Sequence, residues 1–389
     1  MLTCQKDRFS LPSEITYLNC AYMSPLLEAV EVAGYQGVAR KIAPFEIFPN
    51  DFFDPVESVK KTFAKLVNTP DFERIAIIPS VSYGIANVVN NIKAEKGQKI
   101  IMVEEQFPSN YYSWKRLSKK DGLQIIIVKP DENIEKRGEN WNAKILEAID
   151  EDTAVVTMPN VHWADGTKFD LKSIRAKTNK IGAKLIIDGT QSIGAMPFDV
   201  DEIQPDAVIN VAYKWLLGPY SSGVAYYGEA FDNGTPIEES WMNRIKSEDF
   251  QGLVNYQDQY RPKAARYNVG EASNFMSIPM MEAAMKSILE WGVENIQNYC
   301  ADLSNKYLAD FQNMGCHVED PTYRAPHLFG IRLSKNFDLD ELKAQFLKNK
   351  VFVSFRGNAI RIAPHLYNDE ADFEKLVMCF KKARKRLLI

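Results

Sequence analysis

Three short segments carry residue types that together could bind and react with a phosphorylated aldehyde. Asp188 directly follows the apolar run 185–187, and Lys214 follows the apolar run 207–211. Ser80-Val81-Ser82 stands between a third apolar run and a stretch with helical periodicity. An amine forms an imine with an aldehyde, a carboxylate keeps a pyridine nitrogen protonated, and helix amides bind a phosphate dianion. Taken singly, each residue also has an ordinary structural explanation as a helix cap or a solvated side chain.

The elements that must position these side chains alternate between strands and helices. Apolar, β-branched runs predict strands at 75–78, 99–103, 124–128, 154–157, 184–187, 207–211 and 223–227. Helical periodicity at 82–92, 111–119, 143–149 and 171–181 separates the first five runs. This alternation predicts an α/β fold with a seven-stranded, mostly parallel sheet. Only residues 212–222 separate the last two strands, too few for a parallel crossover, so the last strand is predicted to be antiparallel.

The C-terminal third follows an α+β pattern. A long helix is predicted from Pro279, strands at 328–333, 351–355 and 359–363, and a terminal helix capped by Asn368. The chain is therefore predicted to form a large cofactor-binding α/β domain, residues 15–265, and a smaller α+β domain, residues 266–389. Residues 1–14 are expected to pack with the small domain.

Composition narrows the class of protein. The net charge of −4 argues against broad nucleic-acid binding, which requires a basic surface. The five cysteines are scattered and odd in number, as expected for a reducing, cytoplasmic location rather than a disulfide framework. The four histidines have no metal-ligand spacing, and no segment approaches the ~18 apolar residues of a membrane span. We therefore expect neither a metal site nor a membrane partner.

Motifs for nucleotide binding are absent or incomplete. The chain contains no G-x-G, so the dinucleotide fingerprint is missing. The segment from Gly189 to Gly194 has the glycine spacing of a P-loop, but Ala195 and Met196 replace the Lys and Ser/Thr that contact nucleotide phosphates and Mg²⁺. An NTPase is therefore rejected. The three segments instead fit a site for pyridoxal 5′-phosphate (PLP).

Two longer stretches carry a family resemblance. The segment IIDGTQSIG, residues 186–194, and the segment YKWLLGP, residues 213–219, together resemble the class V aminotransferases. This family of PLP enzymes of fold type I includes cysteine desulfurases, kynureninases and isopenicillin N epimerase-like proteins. The resemblance extends from Tyr17 to Asn368.

The resemblance implies a role for each matching residue, and PLP as the cofactor. Lys214 would hold PLP as a Schiff base and move the substrate α-proton, and Asp188 would pair with the pyridinium nitrogen. Gln191 would donate a hydrogen bond to the phenolic oxygen, and Phe107 would stack on the ring. The phosphate would be held by three residues, Val81, Ser82 and Tyr213.

Substrate contacts are assigned in the same way. Arg361 matches the family's carboxylate-binding arginine, and Arg356 is a second candidate; a bidentate guanidinium suits a carboxylate better than a lysine. Trp163 stands where many members have an asparagine, so a reshaped pocket is expected, with His162 or Trp163 touching substrate. His162 could equally be a structural histidine, and both alternatives stay open. Glu271 stands where many members carry a cross-subunit phosphate contact, which puts that contact in doubt.

The resemblance implies a homodimeric enzyme acting on an amino acid, and we expect an aminotransferase. A kynureninase-like lyase or hydrolase and an amino-acid epimerase are alternatives. A desulfurase is not expected, because residues 351–361 contain no cysteine nucleophile. Two alternatives from other classes are a catalytically silent PLP-fold regulator and an α/β binding protein without PLP. The intact Lys214, Asp188 and Gln191 argue against the regulator.

Overall fold

The structure is a computed structural model that describes residues 2–131, 135–357 and 359–385. In these ranges the strands are β1 (Thr16–Tyr17), β2 (Ile75–Ile78), β3 (Lys99–Val103), β4 (Gln124–Val128), β5 (Thr153–Pro159), β6 (Lys184–Asp188), β7 (Ala207–Val211), β8 (Gly223–Tyr227), β9 (Phe329–Arg332), β10 (Val351–Phe352), β11 (Ser354–Arg356) and β12 (Ala359–Ile362). The α-helices are α1 (Glu28–Ala39), α2 (Asp54–Leu66), α3 (Val81–Asn91), α4 (Tyr112–Asp121), α5 (Arg137–Ala148), α6 (Leu171–Ile181), α7 (Val200–Ile203), α8 (Ser277–Trp291), α9 (Val293–Asn313), α10 (Leu339–Lys348) and α11 (Glu370–Ala383).

The central sheet has seven strands in the order β2-β8-β7-β6-β5-β3-β4. Strand β8 is antiparallel to both of its neighbours, and the other pairs are parallel. Successive residues of β7 belong to different hydrophobic cores, since Val208 packs with one cluster and Ile209 with another. Both faces are therefore covered, which explains the continuous apolar runs. The predicted fold class and the antiparallel last strand are confirmed.

A second, smaller sheet forms from the C-terminal residues. It is antiparallel, in the order β11-β12-β9, and a third core joins it to α9, α10 and α11. The single strand predicted at 351–355 was wrong, because the chain changes partner at Val353. Strand β10 pairs with β1 in parallel, and β11 pairs with β12.

The helix α11 begins one residue later than predicted. Its cap is Asp369, whose carboxylate accepts the amide N–H of Asp372 at 3.2 Å, with the reciprocal bond at 3.2 Å. The side chain of Asn368 instead accepts the amide of His365 at 3.1 Å and donates to the carbonyl of Tyr17 at 3.1 Å. Asn368 therefore connects two segments that are distant along the chain.

Helix α8 begins at Ser277, so Pro279 lies in its first turn, where a missing N–H leaves no hydrogen bond unmade. The helix packs against α1 and α2. The domain division at residue 265 remains a prediction. Helices in the described ranges are all too short or too polar to cross a membrane. Within the same ranges, no group of three or more His, Cys, Asp or Glu side chains is placed to hold a metal ion.

Candidate active site

A cavity of about 300 Å³ opens where β2, β5, β6 and β7 end. The carboxyl ends of the strands in an open α/β sheet are the usual place for a ligand. Eight of the residues predicted from the sequence line this cavity: Val81, Ser82, Phe107, Trp163, Asp188, Gln191, Tyr213 and Lys214. The fold thus brings together side chains separated by more than a hundred positions.

Lys214 lies in the connection between β7 and β8, and only 6% of it is exposed. Its Nζ is 5.3 Å from the centre of the Phe107 ring and 5.5 Å from that of Tyr213. Burial lowers the pKa of this amine to about 8, against the opposing effect of Asp188. About a tenth of the amine is therefore neutral at pH 7 and able to attack an aldehyde.

Asp188 is the last residue of β6 and is buried. Its Oδ1 accepts the amide N–H of Thr190 at 3.1 Å. Burial raises the pKa of this carboxyl group, and Thr190 and Lys214 partly oppose that rise. The described residues form no ion pair with Asp188, so a buried carboxylate faces the cavity without a cation in contact. A protonated pyridine nitrogen is the kind of partner that this carboxylate lacks.

Gln191 is held in place at both ends of its amide. Nε2 donates to the carbonyl oxygen of Ala21 at 3.1 Å, and Oε1 accepts from Nε1 of Trp215 at 2.8 Å. The backbone oxygen of Gln191 accepts from Nε2 of the buried His327 at 2.7 Å. An amide carries two N–H groups, so the second N–H of Nε2 is available to a phenolic oxygen in the cavity.

The helix α3 begins at the cavity. Its cap is Ser80, whose Oγ accepts the amide N–H of Tyr83 at 3.2 Å and lies 2.9 Å from Oγ of Ser82. The amides of Val81 and Ser82 lie in the first turn, where intrahelical acceptors are missing. These groups and the helix dipole favour a phosphate dianion. The donor set thus fits PLP at the phosphate, at the ring nitrogen and at the reactive amine.

Trp163 forms a wall of the cavity. Its Nε1 donates to the carbonyl oxygen of Glu105 at 2.7 Å, and its ring meets the Phe107 ring edge to face, with centroids 5.5 Å apart. Because its one donor is already engaged, Trp163 can offer a substrate only its ring surface.

His162 does not line the cavity, although its neighbour Trp163 does. The ring of His162 is fully buried, with Nδ1 at 3.2 Å from Oδ1 of Asp165 and Nε2 at 3.2 Å from the carbonyl oxygen of Glu104. Both nitrogens have protein partners, which supports the structural explanation over the substrate contact.

Arg361 lies on β12 and is only 1% exposed. Its Nη1 donates to the carbonyl oxygen of Trp163 at 2.8 Å, and its Nη2 to Asn19 Oδ1 and Ser354 Oγ, each at 3.3 Å. All three acceptors are neutral, and no ion pair of Arg361 occurs in the described part of the chain. Burial lowers its pKa to about 9, and nearby Arg356 adds to the effect.

The sequence did not single out several polar residues of the lining. Gln106, Ser109 and Tyr220 border the cavity, and Oε1 of Gln106 is buried without a partner among the described residues. The ring of Tyr220 packs against Tyr213, with centroids 4.6 Å apart. Their positions in the sequence could have identified these two residues as cavity residues, since Gln106 follows β3 and Tyr220 lies in the same connection as Lys214.

Comparison with known proteins gives consistent matches. Residues 44–365 match the sequence profile of the family described as Aminotransferase class-V. An uncharacterized aminotransferase, YcbU, of Bacillus subtilis is 27% identical over 336 residues, covering 83% of this chain and 82% of the relative. A kynureninase of Bacillus cereus is 26% identical over 331 residues, covering 80% and 74%. The apo cysteine desulfurase of Thermococcus onnurineus superposes with a TM-score of 0.83 at 17% identity, over 100% of both chains, and so shares the fold.

Proposed function

Because this chain belongs to the class V aminotransferase family, as its motifs predicted, we propose that it transfers the amino group of an amino acid to a keto acid. Family membership also confirms the predictions of an enzyme and of PLP as its cofactor. The observation that carries the proposal is the cavity lined both by Lys214, with its lowered pKa, and by the carboxylate of Asp188, which forms no ion pair among the described residues.

PLP supplies an aldehyde for the amine and a pyridine ring that accepts electrons. We assign the phosphate to the amides of Val81 and Ser82 with the Ser82 hydroxyl and Tyr213. Asp188 would hold the proton on the ring nitrogen, and Gln191 would donate its free N–H to the phenolic oxygen. Phe107 would cover one face of the ring, an assignment supported by the 5.3 Å between its centroid and Lys214 Nζ.

Proton transfer would fall to Lys214. Amino transfer would require a base that removes a proton from the substrate α-carbon, and the Lys214 amine is placed at the cavity to do so. An amine with a pKa of about 8 accepts and returns a proton readily at neutral pH. The walls formed by Phe107 and Trp163 would restrict water, which protects this transfer from exchange with solvent.

The α-carboxylate would bind Arg361. Its guanidinium is buried against neutral oxygens only, so an arriving carboxylate would supply the missing counter-charge. A kynureninase-like lyase is the second candidate, favoured by the Bacillus cereus relative at nearly the same identity. Epimerisation remains a further alternative, since it begins with removal of the same α-proton.

A desulfurase remains outside our proposal. That reaction requires a mobile cysteine at the substrate, and the described lining of the cavity includes no cysteine. Cys20 contacts the backbone of Lys214, with its Sγ 3.9 Å from the carbonyl oxygen of that residue. It is fully buried, and burial raises the pKa of its thiol to about 12, which disfavours the nucleophilic thiolate.

We also propose a homodimer in the cytoplasm. Apolar side chains are exposed on and after α1, with Tyr35 74%, Val38 61%, Ile42 83% and Phe45 78% exposed. A surface of this kind marks an interface, and two-fold dimers are the commonest soluble oligomers. Light scattering should report a dimer, and Val38→Glu with Ile42→Glu should shift it toward monomer. The five cysteines are free in the structure, as suits a reducing compartment.

The experiment that tests the proposed activity is a screen of amino acids against the holoenzyme. The visible absorbance of bound cofactor is followed together with keto acid formation, with pyruvate and 2-oxoglutarate as acceptors. Stoichiometric appearance of a keto acid and a new amino acid is the expected result. Anthranilate released from kynurenine would instead establish the lyase, and racemised substrate alone would establish the epimerase.

A further inference from the structure

Two arginines project from one face of the hairpin formed by β11 and β12. In this hairpin Ser354 pairs with Arg361, and Arg356 pairs with Ala359. Cross-strand partners share a face, as do residues two apart on one strand, so Arg356 and Arg361 lie on the same face as Ser354. They are diagonal neighbours, for which the Cβ atoms are about 7 Å apart.

Neither guanidinium group belongs to the described lining of the cavity, but both contact Trp163, which does belong to it, at different points. Arg361 bonds to the backbone oxygen of Trp163 at 2.8 Å, whereas Cζ of Arg356 lies 5.2 Å from the centre of the Trp163 ring. Arg361 is fully buried and Arg356 is half-buried. The two cations are therefore placed at two depths beside one ring that lines the cavity.

Arg356 lacks an anionic partner within the described ranges. Its Nη1 donates to the carbonyl oxygen of its neighbour Phe355 at 2.8 Å, and its buried Nε has no acceptor. Arg356 and Arg361 both act on Lys214, whose pKa they lower. Asp188 opposes them at this amine, but neither arginine forms an ion pair in the described ranges, so one α-carboxylate offsets only one of the two guanidinium charges.

We propose that Arg356 binds a second anionic group, a carboxylate on the substrate side chain, so that the enzyme prefers acidic amino acids. The substrate preference rests on the proposed amino-group transfer; the second carboxylate site itself does not. Arg361 takes the α-carboxylate at depth, and the side-chain carboxylate extends along the Trp163 ring toward the half-buried Arg356. The separation of the two arginines on the hairpin suits the two carboxylates of aspartate or glutamate.

The same hairpin provides a matched control. Phe355 points to the opposite face, where it packs against Phe346 in the third core, and Nζ of Lys343 lies 5.8 Å from its ring centre. Lys343 is thus also a cation over an aromatic ring, but on the face turned away from the cavity. Lys343→Gln removes an equal charge from this region without touching the cavity.

The first test compares glutamate with glutamine, which has nearly the same shape and no side-chain charge. Half-saturation is read from the visible absorbance of the holoenzyme. We expect the wild type to prefer glutamate by about tenfold or more, the effect of one charge pair in a partly dehydrated cleft. Arg356→Gln should abolish the preference without weakening glutamine, Arg356→Lys should restore part of it, and Lys343→Gln should leave it unchanged. No preference in the wild type, or one that survives in Arg356→Gln, overturns the proposal.

A second arm uses ligands that have no amine. Calorimetric titration should show glutarate binding the holoenzyme more tightly than butyrate, with an advantage that Arg356→Gln removes. If glutarate behaves in this way while no amino acid reacts, the proposed function fails and the second carboxylate site stands. If amino acids react but neither arm depends on Arg356, the function stands and the site is overturned. Tighter Arg356-dependent binding of O-phosphoserine than of glutamate also overturns the carboxylate assignment.

Discussion

Replacing Arg361 with methionine should separate substrate binding from folding. A buried arginine in a purely structural role would stabilise the fold, and its replacement would mainly lower the free energy of unfolding. An arginine kept for an arriving carboxylate should instead have a small net effect on the stability of the free protein. Methionine preserves most of the aliphatic volume while removing the charge and the three hydrogen bonds.

The expected magnitude follows from two opposing terms. The pKa of Arg361 falls from 12.5 to about 9, mainly through burial, which corresponds to about 5 kcal/mol disfavouring the charged form. Against this, hydrogen bonds from a charged donor contribute about 1.5–3 kcal/mol each, and the variant leaves acceptors such as the Trp163 carbonyl without a donor. Three such bonds total about 5–9 kcal/mol against a burial term of about 5 kcal/mol, so the free energy of unfolding should fall by no more than about 4 kcal/mol.

Substrate binding should change far more. Removing the charge partner of a carboxylate in a dehydrated cleft costs about 2–5 kcal/mol, which raises the half-saturation by about 30-fold to several thousandfold. Cofactor binding should be retained, because the phosphate is assigned to α3 rather than to Arg361. The assay pairs urea unfolding of the apoenzyme with amino-acid titration of the holoenzyme.

Two results would refute this reasoning. Unchanged half-saturation for every amino acid would place the carboxylate elsewhere, with Arg356 next to be tested. A loss of more than about 4 kcal/mol in unfolding free energy would show that the hydrogen bonds outweigh the burial penalty. Arg361→Lys should recover only part of the affinity, because an ammonium group cannot form two parallel hydrogen bonds to one carboxylate.

Three further predictions concern the cofactor site and pH. Lys214→Ala should hold PLP without covalent attachment, and a borohydride-reducible adduct detected by mass spectrometry at another lysine would contradict the assignment. Asp188→Asn should retain cofactor but lose turnover by orders of magnitude, because an amide does not stabilise a pyridinium charge; near-normal kcat would rule out this role. Burial lowers the pKa of His365 to about 3, against 6.5 in an unfolded chain, so the unfolded state binds more protons below pH 6.5 and stability falls as the pH drops. When the pH falls from 7 to 5, the unfolding free energy of His365→Phe should therefore fall by about 2 kcal/mol less than that of the wild type. The measurement is urea unfolding of the apoenzyme, and equal losses in the two proteins would exclude His365 as the cause.

The local sequence pattern was sufficient to predict the strands of the central sheet, the direction of its last strand and the family. Continuous apolar runs identified all seven central strands, because a strand covered on both faces needs apolar residues at every position. The short connection after Lys214 was enough to predict that β8 runs antiparallel, since a parallel crossover does not fit in that length. The family followed from two short motifs, and its match now extends over residues 44–365.

Tertiary structure decided which side chains face the cavity and which support it. His162 and Trp163 are adjacent in sequence, yet one is enclosed by Glu104 and Asp165 and the other lines the cavity. The cap of α11 is Asp369 rather than the predicted Asn368, because the side chain of Asn368 bonds to Tyr17, more than three hundred positions away. Periodicity records which face of an element is apolar, whereas the direction and partner of a polar side chain depend on segments distant along the chain. For the same reason, only the paired strands of the β11–β12 hairpin place Arg356 and Arg361 on one face beside Trp163.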